Sequence, residues 1–136
     1  YGEFSVLVEV TLQSGQQQYD SEGEPVARHL GKVKSETGRE AFCLFVAPKI
    51  NQAAISFFYS LHRINIDFYG GKAVIIPIEL AVYRKMLEDS YKVSYTPDPE
   101  HIRAIFEKSK EFAAEANSEN EWYSKIQDYA MNWLAV

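Results

Sequence analysis

The sequence predicts an α/β fold, a sheet with helices packed against it. Three observations carry this expectation. Short β-branched and apolar runs occupy residues 4–12, 41–47 and 72–78. Segments with helical spacing of apolar residues separate and follow them, giving the order β-α-β-α-β-α-α. The 136 residues are 46% hydrophobic and 14% aromatic, enough to build one core and too apolar for a disordered chain.

The first run, Phe-Ser-Val-Leu-Val-Glu-Val-Thr-Leu, is apolar on both faces and predicts a central strand with neighbours on each side, so the sheet is expected to begin upstream of Tyr1. Residues 13–24 are polar and contain Gly15 and Gly23, and they read as a loop. Pro25 suits the first turn of a helix running to about Thr37, and Glu22 and Glu24 suit the positive end of its dipole. The second strand, 41–47, ends at Pro48. Ile50, Ala53, Ala54, Phe57, Phe58 and Leu61 predict a helix over 50–62. Gly70-Gly71 marks a turn before the third strand, and residues 79–92 read as a helix. Pro97 and Pro99 predict a break over 95–99, and two amphipathic helices follow at 100–116 and 119–134. Residues 1–97 form the α/β core of a single domain in this reading, and 98–136 a helical extension. Trp122, Tyr123, Tyr129 and Trp133 are more aromatics than one buried stripe holds, which predicts that some of them meet a partner.

Composition removes several function classes. Neither a GxGxxG nor a GxxxxGK[ST] string occurs, which argues against a nucleotide-binding α/β domain. No apolar stretch reaches the length of a membrane span and no signal peptide is present, and Cys43, the single cysteine, lies within an apolar run as a buried small hydrophobe. These features predict a cytoplasmic protein with no membrane partner. The net charge is −5, so the chain as a whole lacks the basic surface of a nucleic-acid binder. Residues 98–136 carry four basic and eight acidic residues, which places any DNA contact before residue 98.

Alternation along the first strand puts Leu7, Glu9 and Thr11 on one face. Glu9 is a carboxylate inside an apolar run, and burying it unpaired costs several kcal/mol, so it needs a cation, a metal ion or several N–H donors. Taken alone, Glu-x-Thr in a strand is a weak signal, more often a Glu at a sheet end or in a cross-strand pair. The wider string from 8 to 30 is more specific: Val-Glu-Val-Thr, a glycine-containing polar loop, Gln-Tyr, Glu-Gly-Glu-Pro-Val, then Arg-His-Leu. This string resembles the cleavage domain of the AlwI family of type IIS restriction endonucleases and their nicking relatives. It is more distantly similar to the FokI cleavage domain.

The resemblance implies a mixed central sheet flanked by helices, a restriction-endonuclease-like PD-(D/E)xK core truncated at its N-terminus, and a helical C-terminus. It implies a Mg²⁺-dependent hydrolase of phosphodiester bonds in double-stranded DNA, working with a recognition domain upstream. A homodimer or a second subunit would serve double-strand cleavage. Glu9, with the Val10 carbonyl and Glu22, would hold the metal, an ion that prefers hard oxygen ligands. Thr11 stands where the general pattern has lysine. Arg28 and His29 would act at the phosphate, and Gln18, Arg28 and Lys32 would contact DNA. The pattern also needs an Asp about a dozen residues before Glu9. Glu3 lies six residues from Glu9 on the same strand, about 20 Å away, and cannot serve. The fragment is therefore expected to bind metal and cut DNA poorly. The competing reading is a non-catalytic α/β interaction module with an aromatic docking helix at its C-terminus. The nuclease reading requires Glu9 and Glu22 to converge, whereas the module reading pairs Glu9 with Lys or Arg and leaves Glu22 in solvent.

Overall fold

A computed structural model describes residues 3–93 and 98–134. Three strands, β1 (Phe4–Val10), β2 (Glu40–Ala47) and β3 (Ile75–Glu79), form a sheet in the order β1-β2-β3. Both pairings are parallel, with Glu9 opposite Phe45 and Cys43 opposite Ile75. The expected mixed sheet is thus replaced, among the described residues, by a wholly parallel one. Helical crossovers join β1 to β2 and β2 to β3, which is what parallel neighbours require.

Among the described residues β2 holds the centre: residues 41–47 are all buried. β1 is the edge among the described residues; it exposes Val8 and Val10, and Leu12 just beyond it is exposed too. It ends at Val10, although Thr11 N–H still donates to Val46 O at 2.9 Å.

The expected loop over 13–24 is helical. A short α1 (Gly15–Gln18) passes through a π-helical segment (Tyr19–Gly23) into α2 (Glu24–Thr37). The cause is tertiary. Gln18 is fully buried, and its amide donates to Gln13 O at 2.9 Å and Lys49 O at 2.8 Å while accepting from Asn51 N–H at 2.7 Å. Tyr19 meets Phe57 edge-on at 5.9 Å, and bare Gly23 lets its ring lie close. Such contacts with a later segment leave no trace in local glycine content. From Pro25 onward α2 runs as expected and stops at Gly38, whose φ of 67° is the left-handed turn that glycine adopts without a Cβ clash.

α3 (Gln52–Leu61) is capped by Asn51, whose side chain accepts from Ala53 N–H at 2.9 Å. α4 (Leu80–Val93), α5 (Pro99–Glu115) and α6 (Glu119–Met131) complete the chain. Part of the expected break at 95–99 lies outside the described residues; Asp98 caps α5 by accepting from Glu100 N–H. α3 meets the sheet through Phe45–Phe58, and α5 meets the other face through Phe42 stacked on Phe106 at 4.6 Å. α6 packs alongside β3 and against α3, α4 and α5.

The four aromatics around α6 turn inward. Trp122 and Trp133 are buried, Tyr129 packs edge-on to Phe112, and Tyr123 OH donates to Glu79 at 2.8 Å. Trp122 and Trp133 are core residues, and Tyr123 and Tyr129 are half-buried against that core. Trp122 indole N–H donates to Ser109 O at 3.1 Å, and its ring meets His62 at 4.9 Å. The His62 ring nitrogens lie within hydrogen-bond distance of the Phe58 carbonyl and of Ser109 Oγ, and the Ser109 hydroxyl in turn donates to the Phe106 carbonyl. Burial holds its pKa down at about 4.

Candidate functional site

Glu9 lies near the C-terminal end of β1, the end of a parallel sheet at which crossing loops leave an open crevice. It is the single charged residue in a strand of otherwise apolar or small side chains. Its carboxylate is 34% exposed, which lowers the desolvation cost that a fully buried acid would meet. The partner is His29, from the second turn of α2: Nδ1 lies 3.1 Å from Glu9 Oε1. An ionised carboxylate only accepts, so Nδ1 carries the proton and Nε2 is the ring nitrogen left for other work. The imidazole is 55% exposed. Neither Lys nor Arg pairs with Glu9 among the described residues, which departs from the interaction-module expectation.

The other expected site residues divide into two groups. Arg28, beside His29, pairs with Glu24 at 3.5 Å, and Glu24 also accepts from Tyr69 OH at 3.2 Å. Burial and the Glu24 charge raise the Tyr69 pKa, so the phenol stays protonated and donates. Tyr69 is 45 residues from Glu24 in sequence, and nothing in the local pattern announces it. Lys32 faces solvent one turn further along α2, 3.9 Å from Glu36. Glu22, in the π-helical segment, is half-buried and has neither a hydrogen bond nor an ion pair among the described residues. π-helical turns occur often at functional sites.

Two expectations are corrected. Gln18 cannot contact DNA from its place in the fold, because its amide is enclosed and committed to three backbone partners. Thr11 is buried, and its Oγ1 accepts from Gln13 N–H at 3.1 Å, which ties the strand to the following turn. Cys43 lies next to this region in the core; burial, with the Glu9 charge adding to it, pushes its thiol pKa far up, so it is no nucleophile.

The donor set fits a hard divalent cation in kind, since Glu9 and Glu22 offer carboxylate oxygens and Val10 a carbonyl. It falls short in number: no group of three His, Cys, Asp or Glu side chains able to hold a metal occurs among the described residues. No helix among them is long and apolar enough to cross a membrane.

Comparison with curated proteins gave no match. Among solved structures, the chain is similar to the small subunit (R.BspD6I2) of the heterodimeric restriction endonuclease R.BspD6I, with 26% identity and a TM-score of 0.74. The likeness covers 94% of this chain and 64% of that subunit, so the chain spans less than two thirds of the subunit's length. A family model described as AlwI restriction endonuclease matches residues 1–86, which include the whole of β1, α2, β2 and β3. The chain belongs to the AlwI restriction endonuclease family.

Proposed function

We propose that this chain is the phosphodiester-cleaving part of a type IIS restriction or nicking endonuclease of the PD-(D/E)xK class, acting on double-stranded DNA with Mg²⁺. The observation that carries the reading is the Glu9–His29 pair, an acid and an imidazole held 3.1 Å apart at the open end of a parallel sheet. It is supported by the family match, which spans both residues.

Glu9, the Val10 carbonyl and Glu22 are the groups that would hold the cation, with a further carboxylate from outside the described residues completing the set. When bound, Mg²⁺ supplies charge neutralisation at the phosphate and acidifies water. This chain's own residues do the rest. Glu9 fixes the His29 ring through Nδ1–H, so Nε2 is presented outward with its lone pair. In that position Nε2 takes the proton from water attacking phosphorus, a role Thr11 cannot fill in place of the missing lysine. Arg28, held by Glu24 and Tyr69, lies one residue away and stabilises the charge growing on the phosphate oxygens. Double-strand cutting would use a second subunit, as in the heterodimeric relative, and sequence recognition a domain outside this chain. The isolated chain is expected to cut poorly until its metal site is completed.

The test is Mg²⁺-dependent nicking of supercoiled plasmid by the natural protein that carries this chain, compared with Glu9→Ala. The reading expects nicking to disappear in the variant at all Mg²⁺ concentrations. Equal nicking by both proteins, each folded, removes Glu9 from the mechanism.

A further inference from the structure

The opposite end of the sheet holds a second charged cavity. β2 begins at Glu40, and about it open roughly 190 Å³ of space lined by Lys34, Lys72 and Lys110. The three lysines come from three separate elements. Lys34 is in the last turn of α2 on one face of the sheet. Lys110 is in α5 on the other face, its ammonium 5.5 Å over the Phe42 ring. Lys72 lies in the turn leading to β3. Phe42 is three residues before Phe45, the partner of Glu9, so the cavity is about 10–15 Å along the sheet from Glu9.

The charges there do not balance. Glu40, the acid lining the cavity, is taken by Arg103. Glu107 serves Lys110 at 3.2 Å and Arg103 at 3.9 Å. Lys34 and Lys72 have no carboxylate in ion-pair range among the described residues. The Lys34 ammonium donates to the Lys72 carbonyl at 3.0 Å, which fixes it against the turn and leaves two of its three protons without a protein acceptor among those residues. Lys34 is half-buried, and that burial, with the Lys110 charge next, lowers its pKa. Like charges kept together at partial burial are destabilising unless an anion joins them.

We propose that Lys34, Lys72 and Lys110 form a second anion site for a phosphate-type oxyanion, separate from the Glu9–His29 end. The three lysines line one cavity from both faces of the sheet and from the turn between them, and the spare protons on Lys34 match acceptor oxygens of a phosphate. Two sources carry that chemistry: a phosphodiester of the DNA backbone beyond the cleavage point, or free phosphate. The site also draws Lys110 out of the acidic last third of the chain, where the sequence alone placed no DNA contact.

The experiment uses Mg²⁺-free buffer, inorganic phosphate and a blunt DNA duplex as probes, and a Lys72→Gln/Lys110→Gln double variant. Lys34 is left intact because it holds the turn. A Lys92→Gln/Lys108→Gln variant removes the same charge elsewhere. Phosphate titrated against the unaltered protein is expected to shift the amide resonances of Lys72, Ala73 and Lys110. The double variant should weaken binding at least tenfold, with the control variant unchanged. If a DNA phosphate occupies the site, the double variant also lowers the slope of log affinity for duplex against log salt by about one relative to the control. Weakened phosphate binding with an unaltered salt slope assigns the site to free phosphate. Equal behaviour of the double variant and the control with both probes overturns the proposal.

Discussion

Two histidines in this chain have opposite surroundings. His62 is enclosed by Phe58, Ser109 and Trp122, with both ring nitrogens facing protein groups. His29 is more than half exposed, with one nitrogen held by Glu9 and the other left open. The first arrangement locks α3 to α5 and α6 and uses up the chemistry of the ring. The second orients the ring and keeps its basic nitrogen available. The same contrast separates the two regions around them: the helices around His62 tie most of their buried polar groups to protein partners, whereas the end of the sheet at Glu9 leaves carboxylates half-paired and apolar side chains exposed.

If that contrast is right, perturbations of the enclosed region should cost stability and those at the open end should not. The largest loss is expected from Trp122→Ala, which empties a fully buried ring site and removes the indole bond to the Ser109 carbonyl; about 4 kcal/mol should be lost in urea unfolding. Gln18→Leu keeps the volume but strands the Gln13 and Lys49 carbonyls and the Asn51 N–H, and should cost about 3 kcal/mol by the same measurement.

Acid sharpens the comparison further. Unfolded, His62 takes a proton near 6.5; folded, it does so only near 4. The stability contributed by the neutral ring is therefore complete above pH 6.5 and is lost as pH falls towards 4, by up to about 3 kcal/mol. Unfolding free energies measured from pH 7 to 4 should fall by this extra amount relative to His62→Gln. A smaller effect is expected from Gly31→Ala. A Cβ at Gly31 would lie 2.8 Å from the Tyr69 Cα, so backbone must move, and a loss of about 2 kcal/mol should appear although alanine is the better helix former.

How far the sequence reached follows the same division. Apolar runs and helical spacing exposed β1, β2 and every helix from α2 onward, because those signals are local. Glu9 stood out because a carboxylate in an apolar strand needs a partner. The partner, His29, was named through its motif rather than through geometry, since twenty residues separate them. The helical stretch 15–23 was hidden because Gln18 is buried by Lys49 and Asn51, more than thirty residues away. Trp122 and Trp133 looked like a docking surface because a count of aromatics carries no information on which way the helix turns.

The central claim is that the Glu9–His29 pair does chemistry rather than hold the fold. The most direct test is to measure, for His29→Ala in the natural protein, the single-turnover rate of DNA cleavage and the thermal unfolding midpoint in the same preparation. An exposed pair contributes less than about 1 kcal/mol, so the midpoint should stay where it is. Loss of a proton acceptor should slow cleavage by about a hundredfold or more. An unchanged rate, or a protein that unfolds as Trp122→Ala does, contradicts the account.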